Sequence, residues 1–198
     1  IDKIMTSQYL FKIILTNQCN FRCTYCYEQF NDNVFCDKSF NTFYKFLYNN
    51  RYKMSELFIE WYGGEPLLEY ENLIKYSNRL IKLAAFMRVP YMASISTNAF
   101  YLTKEVFRGL LHSKIFTFHI TLDGIEEIHN ISRIQLNGDS TFSGIMNNLM
   151  RIKAMNTSSF MIIIRINISN ELINYIDEVL AFLHQNFGND RRFTFYFR

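Results

Sequence analysis

Phe116-Thr117-Phe118-His119-Ile120-Thr121-Leu122-Asp123-Gly124 alternates residue by residue, with Phe116, Phe118, Ile120 and Leu122 on one parity and Thr117, His119, Thr121 and Asp123 on the other. Successive side chains of a strand point to opposite faces. The stretch therefore predicts a strand with one apolar face, while its other face stays polar up to the carboxyl end. The same two-faced pattern recurs. Ile162, Ile164 and Ile166 alternate with Ile163, Arg165 and Asn167; Ser94, Ser96 and Asn98 share one parity, as do Thr194, Tyr196 and Arg198. One face suits packing under helices. The other suits a wet cavity at the strand ends, because a lumen packed only for stability fills with branched apolar residues.

Working outward, β-rich runs at about 10–16, 56–62, 91–97, 115–122, 160–167 and 192–198 alternate with helical runs at about 37–50, 68–87, 103–113, 142–155 and 171–187. The last helix carries an apolar stripe of Leu172, Ile173, Ile176, Val179, Leu180, Leu183 and Phe187, with Ser169 or Asn170 as N-cap and Gly188 as stop. Pro90 precedes the third strand, and Asn137-Gly138-Asp139 marks a turn. Such alternation predicts an α/β fold with parallel strands and right-handed crossovers. Six strands are fewer than the eight of a closed barrel, so a partial (βα)6 TIM-like barrel fits best. A doubly wound open sheet is the competitor that periodicity alone leaves standing.

The chain has 198 residues, about half of them apolar, enough for one core and one domain over 1–198. Its net charge of +3 does not call for nucleic acid, and no apolar run is long enough for a membrane span. The chain opens at Ile1 without a signal-like segment and is expected to be a piece of a longer protein. Clustered free cysteines suit a reducing cytoplasm.

After the first strand comes Cys19-Asn20-Phe21-Arg22-Cys23-Thr24-Tyr25-Cys26, three of the four cysteines within eight residues. A short loop after a strand aims all three thiolates at one centre. Cysteine thiolates are the usual ligands of iron–sulfur clusters, and three on a four-iron cluster leave one iron open. Structural zinc, a disulfide between two of the cysteines and inert thiols are the alternatives. Zinc wants four ligands, with no His or Cys near enough to make an obvious fourth, and a disulfide here would close only a tiny loop. After the second strand comes Trp61-Tyr62-Gly63-Gly64-Glu65-Pro66, where paired glycines permit close backbone approach and Glu65 adds a carboxylate able to accept from an ammonium group. Cys36, ten residues beyond Cys26, reads as a buried thiol, Met87, Met92 and Met161 as core, and His119 alone among His112, His119 and His184 as lumen-facing.

The CxxxCxxC loop followed one strand later by Gly-Gly-Glu-Pro resembles the radical S-adenosylmethionine (AdoMet) enzymes. Thr121-Leu122-Asp123-Gly124 with His129 and Arg133 is similar to the peptide-modifying subgroup, with Thr121 for serine and Asn130 for aspartate; the Gly138–Phe142 turn and Arg165-Ile166-Asn167 look like it too. The resemblance implies the (βα)6 barrel, a [4Fe–4S] cluster on Cys19, Cys23 and Cys26, and AdoMet chelating the open iron. It also implies reductive cleavage of AdoMet to a 5′-deoxyadenosyl radical that abstracts hydrogen. For AdoMet it implies Gly63, Gly64 and Glu65 at the methionyl amine, Ser96 and Asn98 near the ribose or carboxylate, Tyr25 at the adenine, and Thr121, Asp123 and Arg133 nearby. It further implies a peptide or protein substrate and a reductant such as flavodoxin or ferredoxin. Members of that subgroup carry a C-terminal auxiliary-cluster (SPASM or twitch) domain, whose cysteines do not occur before Arg198. A radical enzyme acting on a small molecule or RNA base, and a non-catalytic zinc-binding module, are the alternatives.

Overall fold

The computed structural model describes residues 7–198. Its frame is one sheet of six parallel strands in the order β1-β2-β3-β4-β5-β6: β1 (Ser7–Thr16), β2 (Met54–Gly63), β3 (Tyr91–Thr97), β4 (Ile115–Thr121), β5 (Met161–Ile166) and β6 (Phe193–Phe197). A doubly wound sheet reverses its strand order at a switch point, and this one never does. The strands therefore follow one another around a partial barrel with β1 and β6 at its edges, the carboxyl end of β1 being bridged by Val34.

Seven helices connect the strands: α1 (Asp37–Asn49), α2 (Tyr70–Met87), α3 (Lys104–His112), α4 (Glu126–Ser132), α5 (Phe142–Lys153), α6 (Asn170–Ile173) and α7 (Ile176–Phe187). The core lies between their apolar faces and the outward parity of the strands. Leu15, Leu57, Ile59, Trp61, Ile95, Phe118, Ile120, Ile162 and Ile164 are fully buried there. Each large aliphatic or aromatic side chain so buried contributes about 1.5–3 kcal/mol. The other parity carries Lys12, Glu60, Ser96, His119 and Arg165 into the lumen.

Several local expectations change. The last helical run is broken at Asn174–Tyr175, and Ile173 and Leu180 of the expected stripe are about half exposed. The break follows a short turn whose amide at Leu172 is capped by the Ser169 hydroxyl (3.1 Å). Gly188 ends α7 at φ −59°, so its stop is not left-handed; a Cβ there would meet the His184 carbonyl at 2.6 Å. Met92 and Met161 are exposed because they share parity with the lumen side chains, and Cys36 is exposed at the start of α1. α4 lies in a stretch without strong helical periodicity and is visible only in the structure.

Candidate active site

A cavity of about 860 Å³ opens at the carboxyl ends of the strands, within the size range of ligand pockets. Cys19, Cys23 and Cys26 line it, together with Tyr25, Gly63, Gly64, Ser96, Asn98, Thr121, Asp123, Arg133, Arg165 and Asn167. The fold thus gathers the turns after β1, β2, β3 and β4 around one space.

The cysteine loop is braced from outside by the segment following α4. The amides of Arg22 and Thr24 donate to the carbonyls of Ile134 (2.8 Å) and Ser132 (2.9 Å), and the amide of Leu136 donates to Asn20 O (2.8 Å). Arg22 stiffens the loop by donating from Nη1 to Cys19 O (2.8 Å) and Phe21 O (2.7 Å). Nothing periodic in residues 132–136 announced this brace.

All four cysteines are free thiols. Burial pushes the Cys19 thiol up to about 11 and raises Cys23 as well, against the lowering influence of the Phe21 amide on Cys19 and of Arg133 on Cys23. The Cys19 sulfur accepts N–H from Phe21 (3.4 Å) and from Asn98 Nδ2 (3.9 Å). Such N–H···S contacts favour a thiolate ligand and tune a cluster's potential. Among the described residues, no group of three or more His, Cys, Asp or Glu side chains is disposed to hold a metal ion. A mononuclear zinc, with sulfurs about 2.3 Å from the metal, needs tighter convergence than a cubane whose irons sit at separate corners. A donor set of three cysteines on a roomy cavity, with Cys19 and Cys23 half-buried, Cys26 exposed and N–H groups aimed at Cys19, therefore fits a cluster better than zinc.

Gly63 sits at φ +141°, where side chains are strained, and a Cβ would lie 2.2 Å from Thr16 O. At Gly64 a Cβ would lie 2.2 Å from Gln18 O. The two glycines thus admit close approach of the chain leading into the cysteine loop. The amides of Gly64 and Glu65 donate to Thr16 O (2.9 Å) and Gln18 O (2.8 Å), leaving carbonyls as what this turn offers to a ligand.

Glu65 does not reach the cavity. It is fully buried, with Oε1 accepting from the Leu67 amide (2.9 Å) and the Thr97 hydroxyl (2.7 Å) and Oε2 from the Asn98 amide (2.7 Å). Burial raises its carboxyl above the usual range, while those donors pull the other way. The carboxylate ties the turn after β2 to the end of β3 instead of waiting for an ammonium group.

Tyr25, Asp123 and Arg133 form one knot. The Tyr25 hydroxyl donates to Asp123 Oδ2 and accepts from Arg133 Nη1 (2.8 Å), and Asp123 Oδ1 accepts from the Asn167 amide (2.9 Å) and Nδ2 (3.1 Å). Arg133 is 5% exposed and its Nε has no partner. Behind the knot, His129 Nδ1 accepts from the Asp123 amide (3.2 Å), Nε2 meets the Thr141 hydroxyl (3.0 Å), and that hydroxyl donates to Arg133 O (2.6 Å). Asn130, standing where the resembling family has aspartate, accepts the amides of Thr141 (3.1 Å) and Phe142 (3.2 Å) at the start of α5. An amide oxygen serves that purpose without charge.

The sequence matches the family described as the radical SAM superfamily over residues 13–183. The chain belongs to the radical SAM superfamily. Its enzymes use a [4Fe–4S] cluster and AdoMet. The radical SAM chain is 25% identical over 173 residues to an uncharacterized protein of Methanocaldococcus jannaschii, covering 85% of this chain and 56% of that one. It is 29% identical over 117 residues to the Fe-coproporphyrin III synthase of Methanosarcina barkeri, covering 59% and 27%. Among solved structures, anSMEcpe with bound AdoMet shares the fold at TM-score 0.80 and 19% identity, over 95% of this chain and 50% of that one. Streptococcus suis SuiB, solved with its precursor peptide SuiA, matches at TM-score 0.62 and 18% identity, over 98% and 40%. The radical SAM chain thus spans about half the length of such relatives or less. No helix among its described residues is long and apolar enough to cross a membrane.

Proposed function

We propose that this chain is the core of a radical SAM enzyme that binds its cluster through Cys19, Cys23 and Cys26 and modifies a peptide or protein. The observation that carries the reading is the convergence of the three free cysteines, the Gly63-Gly64 turn and the Tyr25–Asp123–Arg133 knot on one cavity. When bound, the cluster supplies the electron that cleaves AdoMet reductively.

The chain's own residues hold and orient. Cys19, Cys23 and Cys26 ligate three irons after losing their protons. The carbonyls of Gly63 and Gly64 accept from the methionyl amine. The guanidinium of Arg133, desolvated and with Nε unpaired, meets the methionyl carboxylate. Ser96, Asn98 and Thr121 offer hydroxyl and amide groups to the ribose, and Tyr25 and Asp123 close the cavity over the adenine. Glu65 acts through Asn98 as a positioning residue.

A peptide substrate is supported by the likeness of fold to anSMEcpe, also solved with a Cp18Cys peptide, and to SuiB. A small-molecule substrate is the second reading, favoured by the 29% identity to the Fe-coproporphyrin III synthase. The electron donor in this reading is a low-potential carrier such as flavodoxin or ferredoxin.

Incubating the reconstituted protein anaerobically with AdoMet and dithionite tests the activity. Formation of 5′-deoxyadenosine and methionine is expected. A cluster-loaded sample that leaves AdoMet intact under strong reduction contradicts it.

A further inference from the structure

The lumen carries a second set of charged and titratable side chains, several of them paired within the chain. Lys12 Nζ pairs with Glu60 Oε1 at 3.3 Å, and the Ser96 hydroxyl approaches the same oxygen at 3.4 Å. Asp123 is taken by Tyr25 and Asn167. The Tyr62 hydroxyl bonds that of Tyr27. Burial lowers the His119 imidazole below its ordinary value.

Arg165 is a cation of this set that has no such partner among the described residues. It stands on β5 between Thr121 of β4 and Tyr196 of β6, both in register with it, and lines the cavity. Its Nε is buried without a partner, and among the described residues its guanidinium makes no hydrogen bond or ion pair. A guanidinium keeps its charge under burial and offers a planar fork of donors that matches a carboxylate. A guanidinium left without a partner on a cavity wall is open to an acceptor arriving from outside the chain.

Resting on the radical SAM reading of the same cavity, we infer that Arg165, flanked by the hydroxyls of Thr121 and Tyr196, is the anchor for a carboxylate of the substrate. The substrate class is then a peptide presenting an acidic side chain or its C-terminus to the lumen. The cofactor's carboxylate is the other source of the same chemistry, but Arg133 already stands beside Cys23 and Tyr25 with an unpaired Nε of its own.

Ligand-observed NMR titrations, on the full chain both apo and loaded with cluster and AdoMet, test this. N-acetylglycine presents a terminal carboxylate, N-acetylglutamate α-amide a side-chain carboxylate, and N-acetylglycinamide none. We expect at least one of the two acids to bind the wild type at least about tenfold more tightly than the neutral amide, as a bidentate charged pair allows. Arg165→Gln abolishes that preference, and Arg165→Lys keeps part of it. Which acid binds identifies the carboxylate.

Equal binding of acids and amide by the wild type overturns the anchor, as does a preference that survives Arg165→Gln. A loss of AdoMet affinity of tenfold or more in Arg165→Gln, read by equilibrium dialysis, assigns the arginine to the cofactor and overturns the substrate role. Iron, sulfide and AdoMet measured on the same wild-type sample report separately on the radical SAM reading, because the acid–amide comparison is also made on apo protein.

Discussion

The Glu65 carboxylate receives the backbone N–H of Asn98 at 2.7 Å, across 33 residues of sequence. The Asn98 side chain then lies 3.9 Å from Cys19 Sγ and 2.8 Å from Asn20 Oδ1. A residue with no surface on the cavity thereby sets the position of a donor to one cysteine.

Glu65→Gln tests that relay. Glutamine keeps one oxygen for Leu67 and Thr97 but turns an NH₂ toward the Asn98 amide, and a buried donor left unpaired costs about 1–3 kcal/mol. Urea unfolding of the apo protein is expected to show a loss of that size, with the iron content of the reconstituted variant retained. Unchanged stability would remove the relay.

Tyr25→Phe deletes the hydroxyl shared by Asp123 and Arg133. Hydrogen bonds to charged groups contribute roughly 1.5–3 kcal/mol, so the apo variant should unfold at lower urea by that order. Its AdoMet dissociation constant should rise by about tenfold or more if the knot closes the cavity. Wild-type values in both measurements would mean the knot is idle.

His129 gives the pH dependence. Burial holds its imidazole down at about 2, against 6.5 for the free group. Between those values the unfolded chain binds a proton that the native one refuses, so stability falls as pH drops below about 6.5. Denaturation midpoints measured from pH 7 to 4 should decline more steeply in the wild type than in His129→Gln. Parallel slopes would contradict a neutral buried imidazole.

The thiols separate by environment. Cys36 is exposed and lowered by hydrogen bonds around Ser39, whereas burial raises Cys19 and Cys23. Since the thiolate is the reactive form, iodoacetamide at pH 8 should modify Cys36 of the apo protein before Cys19 and Cys23, read by peptide mass spectrometry. Faster labelling of Cys19 would mean the loop is not packed as described.

What the sequence made legible is what strict periodicity and punctuated motifs encode. Alternation in Phe116–Leu122 and Ile162–Asn167 placed β4, β5 and the polar lumen face, and the strand count placed the partial barrel. What it did not encode is which polar groups satisfy one another across the fold. The carboxylate of Glu65 looked available for a ligand because its donors come from Thr97 and Asn98, a strand away. Cys36 looked like a buried thiol because nothing pairs it with a second cysteine set, whereas in the fold it stands at the start of α1 in solvent. The Ser132–Leu136 brace has no periodicity and exists only through backbone bonds to the cysteine loop. Arg165 was visible as a motif residue, but its lack of a partner is a property of the assembled lumen.

The most direct test of a three-cysteine cluster is iron and acid-labile sulfide counted per chain after anaerobic reconstitution of the wild type, Cys36→Ala and Cys23→Ala. About four of each are expected in the first two proteins, and a loss of most of both in the third. Zinc without sulfide in the wild type, or a full complement of iron and sulfide in Cys23→Ala, would contradict the account.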